Sequence, residues 1–294
     1  MELDQPQFID NLERVKACLR IEDEMWLDFL QMSKLDYLRF KSGAKPLPED
    51  KLAAVAGLAG VSEEAILSNQ INFRALRPLR ASNIEVPPRY QKAAYGRWRS
   101  SSFSLDFIEA KYGWKARLGC MRNFGLEESL VNNPFGRVSM QFITDLCDYL
   151  HRCQYSDKDI YDMGSYTHIA NRSTLIGQAY SQAESPKKVY EMFLNSVELY
   201  EKNCLYEFVR VTDSDCAIKA RSIKDVAEEM GAPHLGSARV CKWKEGFFAS
   251  LVSYLDLPWP EVRETSCVHR GDEFCLFEID YGYAQVVSKL RQDH

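Results

Sequence analysis

The sequence predicts an α+β protein, with an N-terminal bundle of five short helices followed by helices packed on an antiparallel sheet. Three observations carry this. Apolar residues recur at three- and four-residue spacings from Asp10 to about Leu67, in FIDNLERVKACL, EMWLDFLQM and LAAVAGLAGV. Alternating segments flank turn signals at Thr212-Asp213-Ser214-Asp215 and at Arg270-Gly271-Asp272. Helical patterns precede each of them, so the C-terminal half reads helix, hairpin, helix, hairpin, an order typical of helices layered over an antiparallel sheet.

The elements follow from local signals. Ser33 caps a helix that runs through Phe40 and ends at Gly43. Pro46 and Pro48 enforce an extended link, and Ser62 with Glu63 and Glu64 opens the last helix of the bundle. Past Asn133-Pro134, FGRVSMQFITDLCDYLHRC is an amphipathic helix, and SPKKVYEMFLNSVELYEKN is another, with Ser185 as its cap and Pro186 in its first turn. CLYEFVRVTDSDCAIKARS is the first hairpin, SARVCKWKEGFFASLVSYLD returns to helical spacing, and SCVHRGDEFCLFEIDYG alternates again. Three segments result: a helical domain over 1–73, a connector over 74–135, and an α+β domain over 136–294.

The 294 residues, 46% hydrophobic and 27% charged, are of ordinary globular composition. The polar N-terminus MELDQPQFIDNLERVK has no apolar core of a signal peptide, and no apolar run approaches the ~18 residues that span a bilayer. A cytoplasmic protein without membrane partners is expected. The odd number of cysteines, nine, then points to buried hydrophobes or metal ligands rather than to disulfides.

Charge is uneven. Residues 74–122 hold 11 Lys+Arg against 3 Asp+Glu, whereas the whole chain carries a net charge of −5. Within RALRPLRASNIEVPPRYQKAAYGRWRSSSF, arginines alternate with Tyr90, Tyr95 and Trp98, a combination of phosphate forks and stacking faces suited to nucleic acid or nucleotide. The same letters suit a basic segment docked on the protein's own acidic surfaces.

The stretch from about Leu12 to Leu67 resembles the Cro/C1-type helix-turn-helix family, most clearly in SKLDYLRFKSG and KLAAVAGLAGVSEEAI. The resemblance implies double-stranded DNA as a partner. Ser33, Lys34, Leu38 and Arg39 would face the major groove and its phosphates, with Arg97 and Arg99 on the flanking basic segment. The second helix departs from the family pattern: Leu27 replaces a small residue, Gln31 replaces the turn glycine, and Glu22, Asp23 and Glu24 open the helix. Carboxylates there suit the helix dipole but repel DNA, so a bundle kept for dimerisation or docking stays open.

The most specific pattern is ETSCVHRGDEFC, from Glu264 to Cys275. Zinc takes four ligands from thiolates, imidazoles and carboxylates, and Cys241 at the start of the preceding helix is a further candidate. Cys241, Glu264, Cys267 and Cys275, separated by 23, 3 and 8 residues, resemble the 4-vinyl reductase domain in the form found in zinc-containing sensor domains of phenol-responsive bacterial activators. The resemblance covers about residues 140–285. It implies a structural Zn2+ held by these four residues and a small apolar or aromatic ligand between helices and sheet. Tyr190, Phe193, Tyr206, Phe208 and Phe247, with Tyr200 and Phe248, are the candidate pocket. Between Tyr190 and Val240 there is no tryptophan and His234 is the single histidine, so a phenol is not implied. Three buried cysteines beside an exposed Glu264 is the competing reading, and His269 could replace Glu264. Cys147, His151 and Cys153 form a weaker metal candidate, since two of them at most share a helix face.

No nucleophile–base pair, phosphate loop or metalloprotease motif occurs, so catalysis is not indicated. The expected function is a ligand-responsive, homodimeric transcriptional regulator. A protein-interaction scaffold with a degenerate helix-turn-helix, a nucleotide or lipid receptor, and an enzyme of the reductase type remain alternatives.

Overall fold

The computed structural model describes residues 5–19, 21–73, 76, 86–127, 130, 136–172, 175–199 and 201–282. The chain divides into two units, Met1–Ile84 and Glu85–His294.

The first unit holds five helices, α1 (Gln5–Leu19), α2 (Asp23–Leu30), α3 (Lys34–Lys41), α4 (Glu49–Ala59) and α5 (Glu63–Leu67). Their apolar stripes converge on a core of Phe8, Leu12, Val15, Trp26, Leu30, Phe40, Val55 and Ile66. The caps fall where the sequence placed them, with Ser33 accepting from the Asp36 N–H and Ser62 from the Ala65 N–H. Gln31 occupies the left-handed region at φ 51, ψ 43 between α2 and α3. Glycine adopts that conformation freely and other residues hold it at a cost of about 1 kcal/mol. A buried chain of hydrogen bonds, Trp26 Nε1 to Tyr37 Oη at 2.8 Å and Tyr37 Oη to Glu13 Oε1 at 2.8 Å, ties α1, α2 and α3 together.

In the second unit a short ladder, β1 (Gly96–Arg97) with β2 (Arg137–Val138), brackets α6 (Trp98–Tyr112) and α7 (Trp114–Phe124). Then come α8 (Met140–Arg152), α9 (Asp157–Ser165), α10 (Thr167–Asn171), α11 (Leu175–Ser181) and α12 (Pro186–Ser196). The rest is β3 (Cys204–Val211), β4 (Asp215–Ser222), α13 (Lys224–Met230), α14 (Ala238–Ser250), β5 (Glu261–Ser266) and β6 (Cys275–Asp280). The four strands form an antiparallel sheet in the order β3-β4-β6-β5.

One face of this sheet is a core of Cys216, Ile218, Ala220, Cys275, Phe277 and Ile279, covered by Val189, Tyr190 and Phe193 of α12 and by Phe248 and Ala249 of α14. The other face carries ion pairs such as Lys219–Glu207 at 3.3 Å, as expected for an antiparallel sheet solvated on one side. Tyr281 closes the β3–β4 turn by donating to the carbonyls of Thr212 at 2.7 Å and Asp215 at 2.9 Å.

The basic segment is not a separate connector from residue 86 on. Tyr90 and Trp98 are fully buried in the second unit, and Trp98 packs on Phe142 at 4.9 Å between ring centroids. Its charges meet acidic residues of α8 and α9. Arg89 pairs with Asp145, Tyr90 Oη donates to Asp145 at 2.9 Å, and Lys111 pairs with Asp159 at 2.8 Å and Asp162 at 3.0 Å. Docking on the protein's own acidic surface is therefore the reading that holds here. Arg74, Arg77 and Arg80 lie outside the described residues.

α9 and α14 meet backbone to backbone. A methyl group on Gly164 would collide with the Trp243 carbonyl, and one on Gly246 with the Tyr161 carbonyl. Gly164→Ala and Gly246→Ala should each cost about 3 kcal/mol in urea unfolding. Gly57→Ala and Gly119→Ala, at helix positions with open space around the glycine, should instead stabilise by about 0.5–1 kcal/mol. Equal effects in the two groups would show that the crossing is not the constraint described.

Candidate metal centre

The centre is built from one helix and one hairpin. Ser237 caps α14 through its hydroxyl, which accepts the Val240 N–H at 3.4 Å, and Cys241 follows within the first turn, where the helix dipole favours a thiolate. On β5, Val262 and Glu264 alternate onto the core face, so a carboxylate stands where a hydrophobe is usual. Unbroken alternation would send Cys267 to the solvent face. A register shift between Glu264 and Ser266 inserts one extra residue and turns Cys267 back into the core, fully buried. Cys275 opens β6 opposite Ala220 of β4.

The loop between the two cysteines is held tightly. The Cys267 N–H donates to Asp272 Oδ2 at 2.7 Å, while the Cys267 carbonyl accepts from the N–H groups of Arg270 at 2.9 Å and Asp272 at 3.2 Å. Gly271 takes φ +99, which a side chain would strain. Backbone N–H groups of Val268 and His269 are aimed at the sulfurs of Cys275 and Cys267.

The ligand atoms of Cys241, Glu264, Cys267 and Cys275 lie within 4.8 Å of one another. Cys241 Sγ is 3.6 Å from Cys275 Sγ and 3.8 Å from Cys267 Sγ. Disulfide sulfurs lie about 2.05 Å apart, whereas thiolates about 2.3 Å from a tetrahedral ion lie about 3.8 Å apart. The spacing fits the second case. Glu264 Oε2 accepts from Arg270 Nη1 at 3.0 Å, but Oε1 is buried without a hydrogen-bond partner, although the side chain is 5% exposed. An unpartnered buried carboxylate oxygen facing three sulfurs is the donor a cation would complete. The donor set and its geometry therefore fit a metal ion.

Without an ion the thiols perturb one another. The hydrogen bond with Cys275, then burial, pushes Cys241 far up, and the same bond holds Cys275 down at about 7 against its burial. Burial pushes Cys267 up to about 11.

Sequence reasoning missed the supporting residues. Glu245 Oε1 accepts the Glu264 N–H at 2.8 Å and fixes β5 against α14. Its signal was its position four residues after Cys241, on the same helix face. His269 is half-buried and hydrogen-bonds toward Leu235, outside the ligand set. Cys147 is buried while His151 and Cys153 are exposed, because the helix turns them to different sides; they do not converge.

The candidate pocket residues come together in part. Phe193 makes edge contacts with Tyr206, Phe247 and Phe248 at 5.4–5.7 Å, and Tyr190 Oη donates to the Phe248 carbonyl at 3.0 Å. Phe208 packs against the same core, and Tyr200 lies outside the described residues.

Of the candidate DNA contacts, Ser33 is spent on capping α3, while Lys34, Leu38 and Arg39 lie on that helix. Leu38 is 52% exposed, and Arg39 lies 3.8 Å from Asp36. Arg97 is half-buried on β1 with its Nε enclosed, which removes it from an open surface. The Arg99 side chain lies outside the described residues.

Residues 225–280, which contain all four ligand candidates, match the family model of the 4-vinyl reductase domain. No curated protein matches the chain. Among solved structures, an H-NOX protein from S. oneidensis in the Fe(II)NO ligation state is 12% identical, with 63% of this chain and 98% of that chain covered and a TM-score of 0.46. The Fe(II) unliganded H-NOX protein from K. algicida is 10% identical, with 63% and 95% covered and a TM-score of 0.46. Nothing about ligand or activity follows from values this low.

Cys275→Ser should remove bound metal and several kcal/mol of stability together, since metal binding at such a site is folding free energy. Cys147→Ser should leave the metal content unchanged. Metal analysis of both variants, purified without chelator, checks this.

Proposed function

We propose that the protein is a ligand-responsive regulator whose C-terminal unit is a zinc-stabilised sensor of the 4-vinyl reductase type. The observation that carries this is the convergence of three cysteine sulfurs and one unpartnered carboxylate oxygen inside the segment that matches the 4-vinyl reductase domain. Three thiolates and a carboxylate in a closed, buried set favour zinc in a structural role, with no position left for substrate.

The ligand is a small apolar or aromatic molecule taken up beside Phe193, Tyr206 and Phe247, between α12 and the sheet. Binding one packing of this layer better than another shifts the population of dimer geometries and, with it, the action of the N-terminal unit on duplex DNA. Two features support the DNA reading: the three-residue turn 31–33 between α2 and α3, and the exposed face of α3. The role is regulatory rather than catalytic.

A second reading has its own observation. Leu35 is 58% and Leu38 52% exposed on α3, and Asp36 engages both Arg39 and Lys45, which suits docking to a protein rather than to phosphates. Binding to nonspecific duplex at low salt separates the two. Under the DNA reading Lys34→Glu and Arg39→Glu weaken binding and flatten its salt dependence. Absence of wild-type binding at low salt moves the unit to the docking class.

For the sensor, an aromatic or aliphatic ligand should raise the melting temperature by mass action, by about 2.7 kcal/mol of stability at a hundredfold excess over Kd. Tyr206→Ala should abolish the shift. A broad screen that raises no melting temperature would remove the sensing role and leave the metal assignment standing.

A further inference from the structure

We propose that Lys244 is the charge-compensating residue of the metal centre, a buried cation whose counter-charge is the metal-bound thiolate cluster itself. This rests on the metal reading above. Lys244 follows Cys241 by one turn of α14, so both side chains leave the helix toward the sheet. Beneath them Tyr206, Ala220 and Cys275 stand in register across β3, β4 and β6. Cys241 lies over the Cys275 end of this row, sulfur to sulfur at 3.6 Å. Lys244 lies over the other end, with Nζ 5.3 Å from the Tyr206 ring centroid and 3.4 Å from Cys204 Sγ.

Lys244 is 7% exposed, and among the described residues it forms no ion pair with a carboxylate. Glu201 acts on it at longer range and is itself pushed toward its neutral form by burial. A buried ammonium surrounded by neutral thiols is costly, because burial disfavours the charge and no anion offsets it. Loading the centre changes those neighbours. The thiols lose their protons, and three thiolates with one carboxylate exceed the charge of a divalent ion by two. Arg270 supplies one compensating charge through Glu264, and Lys244 supplies the other. Burial works against the ammonium, but Cys204, Tyr206, Cys241 and Cys275 work for it and hold its pKa well above the ordinary lysine value.

The same residue thus stabilises the loaded centre and burdens the empty one, whereas a lysine that merely packed would affect both alike. The test is Lys244→Met in the full chain, read by competition for zinc with a chromophoric chelator and by melting of the loaded and stripped proteins. The expected result is a loss of zinc affinity of about 10–100-fold, with the stripped variant melting no lower than the stripped wild type. Lys244→Arg, which keeps the charge, should recover most of the affinity even if the stripped chains do not fold. Affinity within about twofold of wild type in Lys244→Met, or an equal drop in both melting temperatures, overturns the proposal while leaving the metal centre intact. A wild type that binds no zinc overturns the centre itself.

Discussion

The second unit depends on the crossing of α9 and α14 at Gly164 and Gly246. Each glycine lies against a carbonyl of the other helix, so the two backbones approach as closely as chain geometry permits. That approach fixes α14 along its length, and α14 is the element with obligations on both sides. Cys241, Lys244, Glu245 and Phe248 face the sheet, while Trp243 and Phe247 lie along the crossing. A helix displaced by one methyl diameter would separate Cys241 from Cys267 and Cys275, whose sulfur distances leave no slack for a tetrahedral ion. Two missing methyl groups therefore set the precision of a metal site one to two turns away.

The hairpin shows a complementary logic. A β-strand alternates its side chains, and β5 places Glu264 inward by that rule but Cys267 inward only by breaking it at the bulge. The Asp272 carboxylate on the Cys267 N–H, the left-handed Gly271 and the backbone N–H groups turned toward sulfur then hold the loop in a form that presents both cysteines. These contacts are made without an ion. The site is preorganised, and the strain of assembling like charges falls on binding rather than on folding.

Much of this was legible in the sequence because it is local. Caps at Ser33 and Ser62, the turns at Thr212–Asp215 and Arg270–Asp272, and the spacing of the four ligand candidates are carried by short stretches and by residue chemistry. What was not legible depends on partners far along the chain. Arg89 and Lys111 look like phosphate ligands until Asp145, Asp159 and Asp162 are brought beside them. Tyr90 and Trp98 look like stacking faces until α8 covers them. Gly164 carried no signal of its own, since the reason for its missing side chain is the backbone of a helix some eighty residues later. Composition counts charges, and only the fold decides which of them face outward.

The same accounting bears on the proposed DNA reading. With Arg89 and Lys111 neutralised within the second unit and Arg97 enclosed there, the basic surplus of the middle segment is not available as a phosphate track over its described residues. Phosphate affinity scales with the number of uncompensated cations that reach the backbone. The first unit must supply that number from α3 and its surroundings, where Asp36 engages Arg39 and Lys45, and Glu13 engages Lys41. Ion pairs of this exposed kind are weak, about 0.2–1 kcal/mol, and a polyanion can exchange into them. The charge pattern of the first unit therefore permits duplex binding but makes it weak in isolation. A regulator built this way would depend on two copies acting together, which is the condition under which a sensor that alters dimer geometry controls DNA binding at all.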